Sequence, residues 1–156
     1  MISDVEFDIV EIEELSGDRA HIYSVLLDGE EQSLLMQFFS EFAESNAKEM
    51  DIFRRQLYSM GHVWGCKREF FKLYEGAAGD GVAALSIGSF RLYCLYFDCT
   101  AVFFGSGGLK PKGVRAYQEL PELNEKVEQV KAIAAKINNM IKERDLKITS
   151  EGKLQW

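Results

Sequence analysis

Histidine, proline and cysteine are all scarce in this 156-residue chain, which holds two His, two Pro and three Cys. His21 and His62 lie far apart without ligand-spaced partners, which argues against a zinc site and leaves both in ordinary structural roles. Cys66, Cys94 and Cys99 form no CxxC pair and are odd in number. They read as buried free thiols, packing as small hydrophobes; only a Cys94–Cys99 pair, flanking the Phe97-Asp98 corner, leaves a disulfide open. Long apolar runs are missing, the longest resembling Ala101 to Phe104, so no segment reads as a membrane span. The first residues, MISDVEFD, are acidic where a signal peptide needs a basic start and an apolar core, making the cytoplasm the default compartment. There is no GxSxG elbow and no supported Ser/His/Asp order, which sets aside the common nucleophilic hydrolases. Positive charge is also in short supply: 18 Lys/Arg against 25 Asp/Glu, a net of -7. Taken as an average, that speaks against a nucleic-acid partner, because phosphate binding wants Lys and Arg.

What is present is apolar and aromatic. Hydrophobic residues make up 47% of the chain, with eleven Phe, six Tyr and two Trp, ample for one packed core and too much for intrinsic disorder. The average charge hides a division. Residues 1–51 carry fourteen acidic against two basic side chains, a net of -12, whereas residues 52–117 carry nine basic against four acidic, a net of +5. The remaining 39 residues balance at seven of each. No repeat, linker or low-complexity stretch interrupts the chain, so a single domain is expected.

The apolar pattern predicts strands at 5–12 and 20–27, joined across the turn-forming Ser16-Gly17-Asp18 into a hairpin. Asp28, with Glu31 three residues on, reads as the start of a helix whose stripe is Leu34, Leu35, Phe38, Phe39 and Phe42. A second helix over 48–60 buries Met50, Phe53, Leu57 and Met60 and ends at Gly61. The period then changes to that of strands near 69–75, 82–87, 89–97 and 100–105, whose short connections imply an antiparallel meander. Pro121 opens a long last helix with Leu123, Val127, Val130, Ala134, Ile137 and Ile141 on one face. The tail from Leu146 to Trp156 reads as an added strand or a loose end. Together these predict an α+β domain: a β-hairpin and two helices packed on a twisted, mostly antiparallel sheet, with a long C-terminal helix. Its core falls at about 20–141, with 1–19 and 142–156 as additions.

The chemistry on offer is basic. Lys67, Arg68 and Lys72 precede and enter the first sheet strand. Arg91 begins FRLYCLYF, where alternation places Arg91, Tyr93, Leu95 and Phe97 on one face and Leu92, Cys94 and Tyr96 on the other. Lys110, Lys112, Arg115 and Tyr117 follow the last strand. Arg and Lys gathered with Tyr, without metal ligands or a catalytic His, suit metal-free RNA cleavage. One group helps remove the 2′-hydroxyl proton, another protonates the leaving 5′-oxygen, and cations stabilise the phosphorane between them. An ordinary basic sheet rim with snorkelling side chains gives the same composition. Gly105-Ser106-Gly107-Gly108 lacks the GK[ST] ending of a phosphate loop and reads as a strand exit needing positive φ. A deep apolar pocket beside it would favour a small-molecule enzyme instead.

Residues 86–119, SIGSFRLYCLYFDCTAVFFGSGGLKPKGVRAYQE, resemble the central segment of the RelE/ParE toxin superfamily. The likeness rests on a strand with a near-initial Arg, a short acidic turn, a hydrophobic strand, a Gly/Lys-containing exit and a helix. An earlier strand and two helices precede these in the same order. The resemblance implies an endoribonuclease toxin of a toxin–antitoxin module, cutting ribosome-bound mRNA without metal or cofactor. Its partners would be a cognate antitoxin, mRNA and the ribosome, with no membrane and with homo-oligomerisation left open. Carried over, Arg91 stabilises the phosphate, Tyr117 stacks or moves a proton, and Lys110, Lys112 and Arg115 supply the basic exit group. Lys67, Arg68 and Lys72 would bind RNA. The ParE branch shares the fold without ribonuclease chemistry and acts on DNA gyrase, so a non-catalytic binding protein is the alternative.

Overall fold

The structure is a computed structural model that describes residues 6–73, 81–111, 113 and 120–156. Apolar and aromatic residues over 82–109, buried on both faces, form three long neighbouring strands, β4 (Val82–Ile87), β5 (Phe90–Asp98) and β6 (Ala101–Leu109). Before them come β1 (Phe7–Glu11), β2 (His21–Leu27), α1 (Leu34–Glu41), α2 (Ala47–Ser59) and the short β3 (Lys72–Leu73). After them come α3 (Pro121–Lys142) and a small hairpin of β7 (Lys147–Ile148) and β8 (Leu154–Gln155). The fold is α+β. Its sheet runs β1-β2-β6-β5-β4-β3, antiparallel at every joint except β2–β6, which is parallel. No helix among the described residues is long and apolar enough to cross a membrane.

The two sheet faces are buried separately. Ile22, Leu85, Phe90, Leu92, Cys94, Val102 and Phe104 face α1 and α2. Tyr23, Val25, Ala84, Tyr93, Leu95 and Phe103 face α3. Under α1 and α2 the rings of Phe38, Phe42, Phe53 and Phe90 meet edge to face, with Phe38 and Phe53 centroids 5.3 Å apart and Phe42 and Phe90 4.9 Å apart. The two ends of the chain join this core: Ile12, Leu15 and Leu146 are buried, and the Tyr23 hydroxyl donates to the Gly152 carbonyl at 2.8 Å. Gly152, at φ +91°, lies so close to the Thr100 carbonyl that a Cβ would collide with it.

Several local expectations give way to tertiary structure. The first helix does not begin at Asp28. Gly29 turns the chain at φ +83°, and the helix starts five residues later, capped by Ser33, whose Oγ accepts from Met36 N at 3.3 Å. A second serine from outside the helix joins it. Ser24 Oγ on β2 accepts from Leu35 N at 3.1 Å and donates to Phe104 O at 2.7 Å, so one hydroxyl serves a free first-turn amide and the neighbouring strand. Gly61 does not end α2; the chain continues through a π-turn, Met60–Trp64, to Gly65 at φ +77°. Gly61 is needed there because Leu15 O packs against it, and its own carbonyl accepts from Arg19 N and Ala20 N. Of the strand expected near 69–75, Arg68–Phe70 form a 3-10 turn and Lys72–Leu73 are strand, while 74–75 lie outside the described residues. Gly105, Gly107 and Gly108 belong to β6 rather than to an exit with positive φ. Side chains at Gly105 and Gly107 would strike Val130 and the Arg91 carbonyl, whereas a Cβ at Gly108 would make ordinary contact with Leu123. The three cysteines are free: Cys66 and Cys94 are buried and Cys99 is exposed, so neither the disulfide nor uniform burial is realised.

Two predictions follow from this packing. Ser24→Ala removes the acceptor of one buried amide and the donor to one buried carbonyl, and is expected to cost about 1–3 kcal/mol in urea denaturation. The second concerns alkaline pH. Burial, then the neighbouring Cys99 and Asp98, pushes the Cys66 thiol from 9.0 up to about 12. Burial, then Glu11, raises Tyr23 from 10.0 to about 12. Between these limits the unfolded chain has shed protons that the folded chain retains, so stability is full below pH 9 and declines from there to pH 12. Urea midpoints measured across this range should fall, and Cys66→Ala should make the fall shallower by about 1.4 kcal/mol per pH unit.

Candidate functional site

Arg91 is the second residue of β5, opposite Ser86 on β4 and Gly108 on β6. Its neighbours Phe90 and Leu92 face α1 and α2, so Arg91 stands on the α3 side of the sheet, as alternation requires. Its Nη1 donates to the carbonyls of Gly88 and Phe90, both at 3.0 Å. These bonds hold the guanidinium against the β4–β5 turn. Nε is buried without an acceptor, and among the described residues no carboxylate pairs with this side chain. Arg91 is therefore a half-buried, locally anchored cation whose charge is not neutralised within the described fold.

Lys110 is brought to the same end of the sheet, because its backbone N–H donates to Ser89 O at 2.7 Å, in the turn that Arg91 closes. Lys72 stands opposite Ala84, which in turn faces Tyr93, so it shares Arg91's face one pleat along and two strands away, about 10 Å across the sheet. Lys67 and Arg68 are not part of this group. Cys66 N donates to Cys99 O and Tyr96 Oη to Cys66 O, both at 2.8 Å, which ties their segment to the β5–β6 turn at the opposite end of β5. Lys112, Arg115 and Tyr117 lie outside the described residues.

One cation escaped the sequence reading. Lys126 on α3 donates through Nζ to Gly107 O at 2.7 Å and to Glu41 Oε1 on α1 at 2.8 Å, and sits 5.5 Å from the Phe42 ring centroid. It also lies 3.8 Å from where a Cβ on Gly108 would stand, directly across the strand from Arg91. Its sequence signal is faint: it borders the apolar stripe between Leu123 and Val127, where a charged residue reads as the solvated edge. The contact exists because β2 leaves β6 after the Ser24–Phe104 pair, baring the β6 edge that Lys126 then covers.

Beside this bridge lies an open cleft of about 420 Å³ walled by Phe42, Leu109, Leu120 and Leu123, with Glu41 and Lys126 at its side. Arg91 is not among its walls. Of the glycine stretch only Gly108 reaches the cleft, while Gly105 is packed beneath Val130. Neither histidine lies here: His21 bonds Glu11 at 2.6 Å on the hairpin, and His62 stacks on Tyr58. Comparison with protein-family models, with curated proteins and with solved structures found no match to this chain.

The Lys126 bridge yields a graded test. Lys126→Met keeps the stem but loses the charged bond to Gly107 O, and should cost about 1–2 kcal/mol in urea denaturation. Glu41→Gln disturbs only the exposed half of the bridge and should cost less than about 0.5 kcal/mol.

Proposed function

We propose that this protein is a RelE-like toxin of a toxin–antitoxin module, a metal-independent endoribonuclease acting on ribosome-bound mRNA. The observation that carries the reading is Arg91: a fixed guanidinium with no carboxylate partner among the described residues, level with Gly108 on β6 and beside the Ser89 turn that Lys110 bonds. Such a group can bind the scissile phosphate and stabilise the charge that grows on its oxygens. The order of elements supports it too: strand, two helices, a run of antiparallel strands and a long helix, the order on which the resemblance rests.

In this reading the 2′-hydroxyl attacks the adjacent phosphorus, its proton passing to a base, while the departing 5′-oxygen takes a proton from an acid. Arg91 balances the phosphorane between these transfers. Lys110 is the described candidate for the basic exit group, with Lys112, Arg115 and Tyr117 sharing the acid, base and stacking roles. The antitoxin is the natural protein partner.

The test is controlled expression followed by primer extension on a translated mRNA. Arg91→Ala should reduce cleavage by about 10²–10³. Because the Arg91 side chain also holds two turn carbonyls, Arg91→Lys with an unchanged melting transition separates loss of chemistry from loss of fold. Growth arrest with an uncut message would instead favour the non-catalytic, gyrase-directed or partner-docking reading.

A further inference from the structure

On the opposite side of the sheet from Arg91, the outer surface of α2 and its π-turn presents the densest group of exposed apolar side chains in the described structure. Ile52 is 40% exposed, Tyr58 50%, Val63 51% and Trp64 57%. Singly such residues are ordinary, but here four fall within thirteen consecutive positions, on one helical surface. Two grooves flank it. One, about 450 Å³, is walled by Ile52, Met60, Trp64 and Phe70 with Arg55 and Gln56; the other, about 510 Å³, by Leu15, Tyr58, Arg54 and Arg55. Arg55 and Ser59 line both, so the grooves run along the two sides of one ridge.

The charge of this surface leans positive. From Ile52 to Arg68 the chain holds Arg54, Arg55, Lys67 and Arg68 and no carboxylate, inside a protein of net charge -7. Asp51 bonds Arg55 at 2.9 Å, Glu14 borders the second groove and Glu69 follows Arg68, so four cations stand against three carboxylates. Apolar grooves edged by Arg, with Trp and Tyr at the centre, have the composition of protein-binding hot spots.

We propose that this face docks an acidic amphipathic segment of another protein, its apolar side chains seated in the two grooves and its carboxylates against Arg54, Arg55, Lys67 and Arg68. A protein segment fits better than RNA for two reasons. First, the walls are aliphatic as well as aromatic, and one face of each exposed ring is already taken. His62 stacks on Tyr58 at 4.0 Å, and Lys67 Nζ lies 5.3 Å from the Trp64 centroid. Bases need open ring faces, whereas Leu or Phe side chains need only a groove. Second, α2 and Arg91 are on opposite faces of the sheet, so RNA held at Arg91 does not run along this ridge. The inference stands apart from the ribonuclease reading and survives its failure.

Trp64 makes the test direct. In a Trp156→Phe protein it is the remaining tryptophan, and its emission reports on the ridge. The probes are a helical peptide with Leu at i, i+3, i+4 and i+7 and Glu elsewhere, its twin with Lys in place of Glu, and oligouridylate. The Glu peptide should shift Trp64 emission saturably and the Lys twin should not. Arg55→Glu with Arg68→Glu should weaken the shift at least about tenfold, while Arg91→Ala leaves it unchanged. Trp64→Ala, followed by anisotropy of a labelled peptide, should weaken binding similarly with an unaltered far-UV spectrum. Absence of a saturable shift, an equal or stronger response to oligouridylate, or a shift produced by raising the protein concentration alone overturns the proposal; the last two assign the face to RNA or to a second copy.

Discussion

The parallel joint between β2 and β6 is the constraint around which the rest is arranged. Parallel neighbours cannot be joined by a tight turn, so the chain between them must leave the sheet and return. Here the excursion carries α1, α2 and then β3 to β5 before β6 closes beside β2. The joint ends at Ser24 and Phe104, and Ser24 Oγ holds both strands and the first turn of α1 at that point. Beyond it β6 has a bare edge. One consequence follows: the Glu41–Lys126 bridge covers Gly107, while glycines in β6 admit Val130 of α3 and the Arg91 carbonyl of β5 at close range.

This geometry divides the molecule into two chemically different surfaces. At the start of β5 and the end of β6 stand the anchored Arg91, Lys110 and Lys126. Around α2 stand exposed aromatics with Arg54, Arg55, Lys67 and Arg68. The basic middle of the chain is therefore not one patch. Among the described residues the basic side chains of 52–117 fall into two groups, separated by the thickness of the sheet and the length of β5. RNA chemistry at the first and protein docking at the second make different demands, and the residues differ accordingly: a charge without a carboxylate partner in one place, apolar grooves with a cationic edge in the other.

Much of the architecture was legible because it depends on periodicity. Met50, Phe53, Leu57 and Met60 recur at helical spacing and are all buried; so are Leu123, Val127, Val130, Ala134 and Ile137. Alternation correctly divided Arg91, Tyr93 and Leu95 from Leu92 and Cys94. Failures came where a distant residue outvoted a local signal. Asp28 and Glu31 look like a capping box, but Ser33 caps the helix while Ser24 pins its next free amide. Gly61 resembles a helix stop, yet its missing side chain serves Leu15, some forty-six positions earlier. The β6 glycines suggested unusual φ and instead provide room.

By itself, then, the sequence determined the α+β class, the two helical stripes, the order of the long strands and the face on which Arg91 stands. Each depends on spacing between near neighbours, which helix and strand geometry convert directly into a side of an element. Only the tertiary structure decided that β2 and β6 run parallel, that Lys126 reaches across to Glu41 and Gly107, and that Lys67 and Arg68 stand away from Arg91. Those depend on which elements become neighbours, a matter of how whole faces pack, and no local pattern carries that information.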